Sequence, residues 1–180
     1  MAHAAQIVRP ALFALLAVNA AIYATLGRLA EGLDALAWFA LLVLFELETR
    51  WPDWTRRAHN ATALDLLRLI AAASIAFAAV AFLREGEWLD ALNAWLWICV
   101  VAVLELEVRA PALIARNRRA VNRASMALYA ALAAVAMAWL AQDQWFDGYD
   151  AVLWIAAFAL IEMDLLNAAA GAASPDNTPG

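Results

Sequence analysis

Six apolar stretches, at about 10–27, 34–50, 64–83, 89–108, 122–141 and 149–168, run along this sequence, each near the ~17–25 residues that cross the hydrocarbon core of a bilayer. Lipid offers no partner for a backbone N–H or C=O, so a spanning segment of this length has to be a helix. No strand-like alternation of apolar and polar residues interrupts the pattern. The expected fold is all-α, with six transmembrane helices. Composition agrees, since 67% hydrophobic residues and a mean hydropathy of +0.70 are too apolar for a soluble domain of 180 residues.

Charge orients the spans. The connections after the second and fourth carry Arg50, Arg56 and Arg57, then Arg109, Arg116, Arg118, Arg119 and Arg123. By the positive-inside rule these face the cytoplasm. The other three connections hold Glu31 and Asp34, then Glu85, Glu87 and Asp90, then Asp143, Asp147 and Asp150, with only Arg28 and Arg84 in opposition. They belong outside, which leaves both termini cytoplasmic in a multi-pass protein of a bacterial inner membrane. The first stretch resembles a signal peptide in isolation but is the first helix of a unit that recurs, so it is expected to be retained.

The recurrence is visible by eye. DALAWFALLVLFELE from Asp34, NAWLWICVVAVLELE from Asn93 and DAVLWIAAFALIEMD from Asp150 align without a gap, at offsets of 59 and 57 residues. The chain therefore reads as one domain over 1–170, made of three helical hairpins at about 9–50, 64–108 and 122–168, packed around a pseudo-threefold axis. The tail over 171–180, with its prolines and small polar residues, reads as disordered.

Within each copy one stripe keeps to a single helix face: Asp34, Trp38, Leu41, Phe45, Glu48; Asn93, Trp97, Val100, Leu104, Glu107; Asp150, Trp154, Ala157, Ile161, Asp164. A second line of smaller residues, Ala40 with Val43, Cys99 with Ala102 and Ala156 with Ala159, is expected to face other helices, because small side chains let membrane helices approach closely. The spacing leaves open whether the Trp stripe faces the axis or the lipid, and the plainer reading of Trp38, Trp97 and Trp154 is an aromatic belt at the outer leaflet.

Each even-numbered span closes on a pair of acids: Glu46 and Glu48, Glu105 and Glu107, Glu162 and Asp164. Positions i and i+2 point about 200° apart on a helix, so the two members of a pair need different partners. Glu46 and Glu105 precede Arg50 and Arg109 by four residues, the favourable order for a helical ion pair. Glu48, Glu107 and Asp164 have no such arginine and are the better candidates for carboxylates kept free. One reading has all these acids snorkelling to the headgroups. The other has one of each pair turned inward as a ring that binds a hard cation or a proton, with Asp34, Asn93 and Asp150 as an outer ring.

Other chemistry is excluded more firmly. Twelve basic residues, all Arg, against seventeen acidic ones leave a net charge of -5, which disfavours nucleic acid as a partner. Cys99 is the sole cysteine, and the two histidines, His3 and His59, lie outside the spans, so zinc, haem and triad chemistry lack their ligands. No cofactor and no enzymatic activity are expected. Two functions remain: a carboxylate-ringed cation or proton pathway, and a non-catalytic accessory or scaffold subunit that docks another membrane protein or a second copy of itself. The lipid bilayer is a partner in both.

Overall fold

The computed structural model describes residues 2–55 and 57–172, and within them the side chains of all but 2–7, 58, 105, 107–109, 111 and 161–172. These residues form seven helices: α1 (Ala2–Leu26), α2 (Leu29–Arg50), α3 (Pro52–Thr55), α4 (Ala58–Glu85), α5 (Trp88–Arg109), α6 (Pro111–Ala141) and α7 (Trp145–Ala172). Strands are absent from the described residues. Pro52 and Pro111 open α3 and α6, where the missing N–H is no loss, and so mark the ends of α2 and α5. The four-residue α3 was not expected. Residues 173–180, most of the expected disordered tail, lie outside the described residues.

Among the described residues three helices are long and apolar enough to cross a membrane: α1 over Val8–Leu26, α4 over His59–Glu85 and α6 over Ala112–Ala141. The other three long helices are apolar in the middle but acidic towards their ends. In α2 the uncharged run is confined between Asp34 and Glu46, and in α5 the apolar stretch is Trp88–Leu104.

The long helices close into a ring in chain order. α1 packs on α2, α2 on α4, α4 on α5, α5 on α6, α6 on α7, and α7 returns to α1. Burial within the ring recurs at fixed spacing on α1, α4 and α6. Leu16, Ile75 and Leu132 are buried, as are Asn19, Ala78 and Val135, and Ala20, Ala79 and Ala136. Every one of these triples is separated by the same 59 and 57 residues found in α2, α5 and α7. Close helix approach is set by small residues near the turns. A Cβ on Gly32 of α2 would stand 3.1 Å from the Ala24 Cα of α1, and one on Gly148 of α7 would stand 2.7 Å from the Leu140 Cγ of α6. The equivalent residue of α5 is Ala91, also buried.

One open question about faces is decided, and one expectation is corrected. The Trp stripe points inward: Trp38 is 8% and Trp97 4% exposed, and both belong to the central cluster with Ala71, Ile75, Val100 and Leu132, against which Trp154 and Phe158 pack. The aromatic-belt reading of these tryptophans therefore fails. The small-residue line points partly the other way, with Cys99, Ala102 and Ala159 exposed. The close contacts it was expected to make are supplied instead by alanines of α1, α4 and α6 and by Gly32 and Gly148.

Candidate functional site

At the end of the ring where α1 turns into α2, α4 into α5 and α6 into α7, the helices enclose a cavity of about 60 Å³. That is room for a few waters or a cation of two or three heavy atoms, well short of a drug-sized ligand site. Its walls come in threes. Glu31, Asp90 and Asp147 lie near the starts of α2, α5 and α7; Asp34, Asn93 and Asp150 follow three residues on; Trp38, Trp97 and Trp154 follow four later; and α1, α4 and α6 contribute Tyr23, Phe82 and Trp139. Each trio keeps the 59 and 57 spacing. Ala35 and Ala151 complete the lining, which contains no basic residue.

The tryptophans form the floor. Trp38 and Trp97 have ring centroids 6.2 Å apart, Trp97 and Phe158 4.7 Å, and Trp154 and Phe158 6.4 Å. Beyond the floor the central cluster continues with Leu41, Val100 and Leu104 and is apolar. Trp38 stands one turn on from Asp34, and Trp154 one turn on from Asp150, on the same helix faces.

Polar contacts tie the walls together. Asn19 Nδ2 donates to Asp150 Oδ1 at 2.7 Å, and the Tyr23 hydroxyl donates to Asp147 Oδ1 at 2.7 Å, so α1 and α7 are joined where the ring closes. Arg28, in the α1–α2 turn, donates to Glu31 at 2.7 Å and reaches across to Glu87 at 2.7 Å and Glu85 at 3.1 Å in the α4–α5 turn. Burial works against the Arg28 guanidinium, but its hydrogen bonds and charge interactions with Glu31 and Glu87 outweigh that and hold its pKa above the ordinary value. Glu31 thus shares its arginine with the two acids of the α4–α5 turn. Asp34 Oδ1 and Asn93 Oδ1, by contrast, are shut off from solvent without a hydrogen-bond partner. A buried acceptor left so costs about 1–3 kcal/mol, more when charged.

The opposite, arginine-rich end is differently built. Glu46 is held by Arg9 of α1 at 2.5 Å and more loosely by Arg50 at 3.5 Å. Glu48 pairs with Arg68 of α4, which also reaches Asp65 at 3.3 Å. The expectation that Glu48 is free of arginine is therefore corrected: its partner comes from the neighbouring helix, not from its own. Arg9 and Arg68 are 59 residues apart, and Ser125 stands at the third equivalent position. The side chains of Glu105, Glu107, Glu162 and Asp164 lie outside the described residues. Among the described residues no group of three Asp, Glu, His or Cys side chains is placed to hold a metal ion.

The sequence had pointed to Asp34, Asn93 and Asp150 together, and all three line the cavity. It had not pointed to Glu31, Asp90 and Asp147, although carrying the alignment three residues towards the N-terminus would have found them. Tyr23, Phe82 and Trp139 share only aromatic character, a weaker signal. Protein-family models, characterised proteins and solved structures were all searched, and none matches this chain.

Proposed function

We propose that this chain is a six-span protein of a bacterial cytoplasmic membrane, its three hairpins related by a pseudo-threefold axis and both termini cytoplasmic, which takes up a cation or a proton in the carboxylate cavity at its external mouth. One observation carries the reading. Equivalent positions of three hairpins meet at a single cavity lined by five acids, of which Glu31 alone among the described residues is paired with an arginine, and by two buried oxygens without partners. The four aspartates, which no arginine pairs, call for a counter-cation or shared protons. The arginine-rich end is the lesser candidate, since Glu46 and Glu48 already have arginines.

The apolar closure beneath the tryptophans favours a second reading, in which nothing passes and the protein is a non-catalytic accessory or scaffold subunit whose cavity binds without conducting. One experiment separates the two. Purified protein in lipid vesicles is assayed for proton and cation flux, beside Asp34→Asn and Asp150→Asn. The pathway form expects flux that drops at least tenfold in both variants. Wild-type vesicles as tight as empty ones leave the binding or scaffold role, and unaltered flux in both variants removes the cavity from the account.

A further inference from the structure

Resting on that reading of the cavity, we infer that its ligand is a small alkylammonium ion bearing N–H groups, of the size of methylammonium or dimethylammonium. Charge, shape and hydrogen bonding each narrow the choice. The acids demand a cation, but a divalent metal needs several oxygens converging at about 2.0–2.6 Å, and the acids stand around the cavity without such a grouping among the described residues. A cation that spans the space by its own bulk meets no such demand. The floor and walls are aromatic, from Trp38, Trp97, Trp154 and Trp139, and aromatic rings attract the diffuse charge and C–H surface of ammonium ions. Asp34 Oδ1 and Asn93 Oδ1 are acceptors awaiting donors. An alkylammonium brings N–H to them, whereas tetramethylammonium has none and is too large for about 60 Å³.

The test is a titration of the full chain in phosphatidylglycerol vesicles, which contain no amine, followed by tryptophan fluorescence. Methylammonium, dimethylammonium, tetramethylammonium, Na⁺ and Ca²⁺ are compared at constant ionic strength. The expected result is a saturable change with methylammonium or dimethylammonium, with an apparent affinity at least tenfold above that for tetramethylammonium and for Na⁺, and weakened at least tenfold in Asp34→Asn. Asn93→Leu removes the second acceptor without touching a charge and should weaken binding several-fold; circular dichroism establishes that both variants remain folded. Adding phosphatidylethanolamine identifies the source of the ammonium: competition assigns it to the lipid headgroup, and no competition to a free amine. Saturable Ca²⁺ or Na⁺ binding without alkylammonium binding overturns the inference and leaves the cation cavity standing. Asp34-dependent proton uptake with no cation response overturns it and leaves the proton form. No saturable response to any cation and no Asp34-dependent proton uptake defeats the inference and the cavity reading together.

Discussion

Trp95 and Trp97 are two residues apart on α5, and the structure gives them opposite surroundings: Trp95 is 45% exposed and Trp97 only 4%. Replacing Trp97 with alanine removes a ring packed against both Trp38 and Phe158 and leaves a hole in the cavity floor. Two aromatic contacts at about 0.5–1.5 kcal/mol each, together with the unfilled volume, put the loss at about 3–5 kcal/mol, the range for burying no replacement after Trp→Ala. At about 1.4 kcal/mol per tenfold, the folded-to-unfolded ratio falls by at least ~100-fold. Trp95→Ala gives up an exposed ring and should cost about 1 kcal/mol or less. Reversible unfolding by sodium dodecyl sulfate in mixed micelles, followed by circular dichroism, measures both. If Trp97→Ala is no more destabilised than Trp95→Ala, the tryptophan stripe does not face the axis and the cavity loses its floor.

Further outcomes follow from single contacts. Tyr23→Phe removes the hydroxyl that donates to Asp147 and should destabilise the bundle by about 1.5–3 kcal/mol in the same assay, with Asn19→Leu acting alike through Asp150; no effect of either would mean that α1 and α7 are not joined there. Gly32→Val places side-chain atoms against the Ala24 backbone and should cost about 1–3 kcal/mol, whereas Ala91→Gly at the equivalent position should cost about 1 kcal/mol or less, a difference that unfolding midpoints resolve. Arg28→Ala breaks exposed ion pairs to Glu31, Glu85 and Glu87 and should cost no more than about 1 kcal/mol, an effect that salt erases. A reporter fused at Gly180 and one inserted near Ala58 should read as cytoplasmic and one near Glu85 as external; an external C-terminus overturns the orientation.

Much of this architecture is legible in the residues, but not its inside and outside. The gapless alignment from Asp34, Asn93 and Asp150 locates the repeat, and the repeat locates one tier of the cavity. Helix faces were harder, because lipid is as apolar as a protein core and Trp38 satisfies either environment, so hydropathy cannot orient α2. The small residues Ala40, Cys99 and Ala156 lie on the even-numbered spans, while the buried alanines Ala20, Ala79 and Ala136 sit on the odd ones. Arg68 is a single cation within an apolar run, and it repeats Arg9 at the spacing of the other trios. Its pairing with Glu48 depends on which helix is the neighbour, and that is a property of the ring rather than of any one segment.

The central claim is that three equivalent hairpins surround a cavity that holds a cation or protons, and an experimental density map of the protein in a lipid nanodisc, prepared with methylammonium, tests it most directly. The account predicts hairpins 9–50, 64–108 and 122–168 related by rotations near 120°, with density for a bound group within hydrogen-bond reach of Asp34 Oδ1 and Asn93 Oδ1. A third hairpin packed apart from the other two, or Asp34 and Asn93 turned away from a common centre towards lipid, would contradict it.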